Sequence, residues 1–127
     1  MKTILVAEDR DVSRELLDAV LTACGYFVVA AADGLDALLL AEQHPPDLVI
    51  VDLNMPHLDG VGVLQCLKSN PKYAFLPVVA LTAYAMEGDR ERALELGFSE
   101  YITKPVNLSL LRREVARLLN IPSERQH

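Results

Sequence analysis

Short unbroken apolar runs alternate along the chain with segments in which apolar residues recur every three or four positions. The runs cover residues 4–7, 26–30, 48–51, 78–81 and 101–103 and are mostly β-branched or aromatic. Apolar runs of this length are typical of strands that are covered on both faces. The pattern therefore predicts five strands.

The intervening segments have the 3.6-residue periodicity of helices that bury one face. The predicted buried stripes are Val12, Leu16, Leu17, Val20 and Leu21; Leu35, Leu38 and Leu39; Val61, Leu64 and Leu67; and Leu108, Leu111, Val115, Leu118 and Leu119. Asp33 and Asn107 are suited to cap the second and the last of these helices. The third is predicted over 60–69, where an Asn-Pro pair ends it.

The predicted helix over 86–96 differs from the others because it is mostly charged. Its apolar residues are chiefly Ala93, Leu94 and Leu96. This composition fits an ordinary solvated surface helix, and it also predicts loose docking and a capacity for movement.

Strict alternation of strands and helices with short connections predicts right-handed βαβ units. We expect an α/β fold with one five-stranded parallel sheet and helices on both faces, the flavodoxin-like doubly wound (βα)5 arrangement. Residues 1–121 are predicted to form this domain, and 122–127 a short disordered tail.

Composition narrows the possible functions. The chain has 127 residues, 51% of them hydrophobic, which suits one compact domain. Its net charge of −6 would repel a nucleic acid, so we expect a protein partner instead. No apolar stretch approaches the roughly 20 residues that span a bilayer, and the start has no signal-peptide layout. We expect no membrane association and a cytoplasmic location. Cys24 and Cys66 are predicted to be small buried hydrophobes.

Each of four predicted strands is followed by polar side chains suited to phosphate chemistry. The first leads into Glu8 and Asp9, the third into Asp52, the fourth into Thr82 and the fifth into Lys104. Carboxyl ends of parallel strands meet at one edge of a sheet, so these groups should share a crevice.

Three neighbouring carboxylates repel one another unless a cation lies among them. Magnesium is the simplest cation, because it favours one or two carboxylates, such as Asp9 and Asp52, together with water and phosphate oxygens. With Mg²⁺ and Lys104, the three negative charges are balanced. The arrangement predicts that Asp52 is the nucleophile of a phosphoryl transfer that leaves an aspartyl phosphate. Taken alone, Thr82 and Lys104 are ordinary strand-end residues. Alignment with Asp52 gives Thr82 a role, and Lys104 gains weight from Pro105, because a cis Lys-Pro bond would direct the ammonium inward.

These residues form a recognisable set: Glu-Asp at 8–9, Asp-Leu-Asn-Met-Pro at 52–56 with Asp-Gly at 59–60, Leu-Thr-Ala at 81–83 and Tyr-Ile-Thr-Lys-Pro at 101–105. In order and spacing the chain resembles the receiver domain of two-component response regulators, in particular the stand-alone chemotaxis regulators. The resemblance extends from residue 2 to about residue 120. Glu8 departs from it, since many members carry Asp there.

The resemblance implies that Asp52 accepts a phosphoryl group from a phosphohistidine on a histidine kinase or histidine phosphotransfer protein. Thr82 and Lys104 would hold the phosphoryl oxygens. The implied magnesium ligands are Asp9, Asp52 and the backbone carbonyl of Asn54, with Glu8 bound through water. Such a domain promotes only its own phosphorylation and dephosphorylation and is not an enzyme in the usual sense.

The resemblance also implies a switch. Thr82 moves toward the phosphoryl group, and Tyr101 rotates into the vacated space. The surface of the fourth helix, fifth strand and fifth helix then changes for a downstream protein target. Asn54 and Tyr84 would flank the approach of hydrolytic water, so we expect a moderately long-lived phosphorylated state. His57 is expected to be a solvated loop residue.

Two other protein classes share parts of this pattern. A phosphatase of the haloacid dehalogenase type needs Asp-x-Asp after its first strand, but this chain has Asp-Leu-Asn after its third. A flavodoxin-like binding module needs a phosphate cradle after its first strand, where the acidic segment 8–11 would repel phosphate. No DNA-binding or catalytic domain follows the last helix. The chain is therefore expected to be a stand-alone regulator or a receiver cut from a larger chain, and its start and short tail favour the former.

Overall fold

Residues 1–120, the part of the chain that the structure describes, form a parallel five-stranded sheet with helices on both faces in a computed structural model. The elements are β1 (Thr3–Ala7), α1 (Asp11–Ala23), β2 (Phe27–Ala31), α2 (Gly34–Gln43), β3 (Leu48–Asp52), α3 (Gly60–Lys68), β4 (Val78–Thr82), α4 (Asp89–Leu96), β5 (Glu100–Thr103) and α5 (Leu108–Leu119). The strand order is β2-β1-β3-β4-β5. The predicted flavodoxin-like doubly wound fold is confirmed.

Alternating side chains of the strands supply two hydrophobic cores, one on each face of the sheet. On one face Ile4, Val6 and Ile50 lie under α1 and α5. On the other face Leu5 and Val49 lie under α2, α3 and α4. Every residue of β3 and β4 is buried. The site described below is therefore built on the most protected strands.

All five predicted strands are present. β1 and β5 begin one residue earlier than expected and β3 and β4 end one residue later, whereas β2 is shifted by one residue toward the C-terminus. β2 is also less covered than predicted, with Phe27 exposed and the next three residues only partly buried. This difference follows from its place at the edge of the sheet, where it pairs only with β1.

The predicted buried faces of α1 and α2 are partly wrong. In α2, Leu35 and Leu39 are 53% and 58% exposed, and the buried residues are Gly34, Ala37 and Ala41. The small residues let this helix approach its neighbours closely, so the larger leucines point outward. In α1, Leu17 and Leu21 are buried as predicted, whereas Val12 and Leu16 are exposed. The predicted buried faces of α3 and α5 agree better with the structure. Their buried residues include Leu64, Leu67, Leu111, Val115 and Leu118.

Both predicted caps are confirmed. The side-chain oxygen of Asp33 accepts a hydrogen bond from the Asp36 N–H at 2.8 Å, and that of Asn107 accepts from the Leu110 N–H at 3.0 Å. The prediction for the cysteines is wrong, because Cys24 and Cys66 are both exposed. Cys24 is the C-cap residue that follows α1, and Cys66 lies on the outer side of α3.

The charged helix α4 is shorter than predicted and begins at Asp89, directly after Gly88, whose φ is 87°. Ala93 is its only fully buried residue, in agreement with the expected shortage of apolar contacts. The predicted tail at 122–127 lies outside the described residues. Within 1–120, none of the helices has the length and apolar character needed to cross a membrane.

The close packing of α2 against Leu58 leads to a first prediction. A Cβ at Gly34 would lie 2.0 Å from the backbone oxygen of Leu58, a contact that requires the backbone to shift. We expect Gly34→Ala to lower the free energy of unfolding by more than about 2 kcal/mol in urea denaturation. Gly25→Ala is the control, because its Cβ would meet no atom within 4 Å and only its φ of 95° is unfavourable for alanine. Equal losses in the two variants would contradict this account.

Candidate functional site

The carboxyl ends of β1, β3, β4 and β5 bring the predicted polar residues to one rim of the sheet. The parallel register pairs Ala7 with Val51, Asp52 with Leu81, and Thr82 with Thr103. Glu8 and Lys104 each follow the last residue of their strand directly. A single rim therefore carries an acidic group, an ammonium and a hydroxyl.

Lys104 lies between two buried carboxylates. Its Nζ donates to Asp52 Oδ2 at 2.6 Å and also to Glu8 Oε1. Glu8 has no accessible surface and Asp52 is 4% exposed. The Lys104–Pro105 peptide bond is cis. The other Asp52 oxygen, Oδ1, accepts from the Asn54 backbone N–H at 2.8 Å. Both oxygens of the predicted phosphoacceptor are thus held in defined directions.

The charges of this group influence one another. Burial raises the pKa of Glu8 above its ordinary value; the Lys104 hydrogen bond opposes that rise, and Asp52 adds to it. Burial alone would lower the pKa of Lys104, but its hydrogen bonds to Asp52 and Glu8 outweigh burial and raise it. The site therefore favours a charged Lys104 and a Glu8 that gives up its proton reluctantly.

Carboxylate oxygens of Glu8, Asp9 and Asp52 lie within 4.8 Å of one another. Among residues 1–120 this is the only such group of three or more His, Cys, Asp or Glu side chains. Asp9 is exposed, so the group opens to solvent on one side. Hard oxygen donors with room for water are the ligands that Mg²⁺ prefers, so the donor set fits this ion.

The two predicted switch residues are both buried. The Thr82 hydroxyl oxygen accepts from the Tyr84 backbone N–H at 3.0 Å. The Tyr101 ring lies inward beside a cavity of about 210 Å³ beneath α4, and its hydroxyl has no hydrogen-bond partner within the described residues. Burial, together with the nearby charge of Asp89, raises the pKa of Tyr101. The inward ring position that the resemblance implies after phosphorylation is therefore already present here.

Sequence reasoning missed two polar contacts, one in the loop after β3 and one at the start of β5. His57 is exposed, as expected, but its Nδ1 lies 3.1 Å from Asp33 Oδ2, which connects the loop after β3 to the start of α2. Glu100 is buried at the start of β5 and pairs with two arginines. An acidic residue beside an apolar run was the only sequence signal for the second contact.

Comparison with known proteins identifies the class. The response regulator receiver domain family matches residues 4–116, and the chain belongs to that family. Receiver domains of two-component systems are phosphoacceptor signalling modules rather than classical enzymes. They typically bind Mg²⁺ at an acidic pocket and interact with histidine kinases or phosphotransfer proteins and with downstream targets.

Individual relatives agree with this assignment. The polar-differentiation response regulator DivK of Brucella anthropi is 36% identical over 107 residues, which cover 84% of this chain and 87% of that protein. A putative response regulator from Chloroflexus aurantiacus has a TM-score of 0.88 at 31% identity, with 94% of this chain and 98% of that chain covered. The receiver domain of the sensor histidine kinase PA1611 from Pseudomonas aeruginosa has a TM-score of 0.85 at 33% identity, with the same coverage, and holds a magnesium ion in its active site cleft.

The raised pKa of Glu8 leads to a second prediction, for protein freed of divalent ions by a chelator. A carboxyl with a raised folded-state pKa contributes stability that is fully present below its unfolded pKa, here 4.5, and is lost as pH rises through the folded value. Glu8→Gln removes this loss. We therefore expect the free energy of unfolding to fall less in the variant than in the wild type as pH rises from about 4 to about 8.

Urea denaturation at several pH values measures this difference, and Glu42→Gln, on the exposed part of α2, is the control. Parallel pH dependences for wild type and Glu8→Gln would show that Glu8 is not perturbed by its surroundings.

Proposed function

We propose that this chain is a phosphorylation switch that receives its phosphoryl group on Asp52 and passes the signal on by protein contact. The observation that carries the proposal is the contact of Asp52 Oδ2 with Lys104 inside the group of Glu8, Asp9 and Asp52. The donor is a phosphohistidine on a histidine kinase or histidine phosphotransfer protein. An Asp52 oxygen attacks the phosphorus, the P–N bond breaks, and the donor imidazole leaves with the electron pair of that bond.

The chain's own residues supply positioning and charge rather than proton transfer. A carboxylate oxygen attacks phosphorus directly, so the transfer needs no general base. Lys104 already contacts Asp52, so it is placed to neutralise the phosphoryl oxygens. The Thr82 oxygen accepts from the Tyr84 N–H, which leaves the hydroxyl proton free to donate to a phosphoryl oxygen.

We propose Mg²⁺ as the resident ion. The ligands would be Asp9, Asp52 and the backbone carbonyl of Asn54, with Glu8 bound through water. When bound, the ion neutralises negative charge on the transferring group. The formal charges of three carboxylates, one ammonium and one dication sum to zero. Phosphorylation therefore adds net negative charge to a site that is otherwise neutral.

The surface beside the site suits a protein donor. A cavity of about 460 Å³ opens next to Lys104 between α1 and the segment that leads into α5, with a mainly apolar lining that includes Leu16, Pro105 and Val106. Val12 and Leu16 are exposed on the same helix. We assign the downstream partner to the face formed by α4, β5 and α5, which adjoins Tyr101. Because kinases make phosphohistidine from ATP, the proposed location is the cytoplasm.

The phosphoacceptor role predicts a defined mass change. Incubation with acetyl phosphate and Mg²⁺ should add one phosphoryl group to the wild type, and Asp52→Asn should gain none in intact-mass measurements. Asp36→Asn is the matched control, because Asp36 is an exposed aspartate in the first turn of α2, away from the site. Replacing Mg²⁺ with a chelator should abolish labelling.

Equal mass gains in wild type and Asp52→Asn would remove Asp52 from the reaction. Steady turnover of a generic phosphomonoester would favour a phosphatase instead, since a receiver should release only its own phosphoryl group.

The lifetime of the phosphorylated state should depend on Tyr84. This side chain lies two residues after Thr82 and is 74% exposed, which leaves it free to shield the phosphoryl group from water. We expect Tyr84→Ala to lose its label severalfold faster than the wild type, followed by intact mass after removal of the donor. Met86→Ala, equally exposed in the same loop, should decay at the wild-type rate. Equal decay of all three proteins would exclude shielding by Tyr84.

A further inference from the structure

A buried carboxylate connects the three elements of the α4, β5 and α5 face. Glu100, at the start of β5, is 7% exposed. Its Oε1 lies 2.6 Å from Arg90 Nη1 of α4, and its Oε2 lies 3.5 Å from Arg117 Nη2 of α5. Arg117 also binds Glu114 at 2.9 Å on its own helix. One carboxylate thus holds two helices through opposite oxygens.

The same side chains bind the backbone of Tyr101 on both sides. The Tyr101 N–H donates to Glu100 Oε1 at 2.9 Å, and Arg90 Nη1 donates to the Tyr101 carbonyl at 3.3 Å. Within the described sheet β5 pairs only with β4, so these two backbone groups have no neighbouring strand to bind. Arg90 and Glu100 satisfy both of them, which fixes the backbone from which the Tyr101 ring projects inward.

The Arg90 contacts are important for the position of α4, because few buried apolar contacts attach this helix to the sheet. Ala93 is its only fully buried residue, whereas the ring of Tyr101 and its cavity lie directly beneath the helix. Ala93 and Leu96 of α4 line that cavity. A shift of α4 away from β5 would therefore uncover the ring, and the Arg90 to Glu100 pair opposes such a shift.

We propose that Glu100, Arg90 and Arg117 form a positioning unit for Tyr101, one that keeps α4 over the inward ring and so couples the phosphorylation site to the output face. The inference rests on the proposed function in one respect, namely that the inward ring belongs to the phosphorylated state. Within the described residues, no hydrogen bond or ion pair joins any of the three to Asp52 or Lys104. Their effect on the site is indirect, through the position of Tyr101.

The experiment measures the affinity of the folded protein for beryllofluoride, a phosphoryl mimic, in excess Mg²⁺. Arg90→Ala and Glu100→Gln should each bind it about 3-fold to 10-fold more weakly than the wild type. In these variants part of the free energy of binding is used to order α4 and Tyr101, which the wild type already holds in place. The double variant should be no weaker than about the worse single variant, since both changes break the same contact. Arg90→Lys, which keeps the charge, should recover part of the affinity.

Arg113→Ala is the matched control, because Arg113 is an exposed arginine of α5 that lies 4.0 Å from Glu114 and does not contact Glu100. NMR of ¹³C-labelled tyrosine, without the mimic, should show the Tyr101 ring more exposed in Arg90→Ala than in Arg113→Ala. A purely structural role would lower the free energy of unfolding without changing either readout.

Affinities and ring exposure equal to those of the control would overturn the inference while leaving the proposed function intact. A wild type that neither binds the mimic nor labels on Asp52 would overturn the proposed function and the inference together.

Discussion

Burial of two carboxylates beside a single ammonium is the constraint on which the rest of this structure depends. Glu8 and Asp52 have almost no access to water, and removing their common partner, Lys104, would leave uncompensated charge inside the protein. The carboxylates stand on the adjacent strands β1 and β3, whereas Lys104 follows β5 and must extend past the end of β4 to reach them. A long cationic side chain is therefore required to reach both carboxylates from the end of β5. The sheet order and the chemistry of the site depend on each other.

The strands and the composition of the site could be predicted because each is a local signal. A buried strand is an unbroken apolar run, and the first polar residue after it marks the rim. The faces of α1 and α2 could not be predicted in the same way. The 3.6-residue periodicity predicts that the large residues Leu35 and Leu39 are buried. In the structure the buried face of α2 consists instead of small residues, Gly34, Ala37 and Ala41, which let the helix pack closely. Small residues are a weak hydrophobic signal even where they determine the packing.

The finer organisation of the site depends on contacts between residues that are distant in sequence. Twelve basic and eighteen acidic residues allow many pairings, and nothing local selects Arg90 and Arg117 as the partners of Glu100. The inward ring of Tyr101 likewise depends on α4 as its cover, and the polar sequence of that helix indicates only that its docking is weak. Such features follow from the assembled fold, where burial strengthens some charge pairs far above the others.

The helices α2 and α4 differ sharply in how tightly they pack against the rest of the protein. Gly34 leaves no space between α2 and Leu58, while α4 rests on the buried methyl of Ala93 and on an ion pair from the half-exposed Arg90 to the buried Glu100. Burial of one methyl group contributes only about 1 kcal/mol, comparable with thermal energy. We expect thermal fluctuation to populate several placements of α4, whose populations the proposed phosphorylation of Asp52 would change. We expect such a protein to bind its downstream partner weakly before any kinase acts. Its signal would then be a change in the ratio of the α4 placements rather than the appearance of a new one.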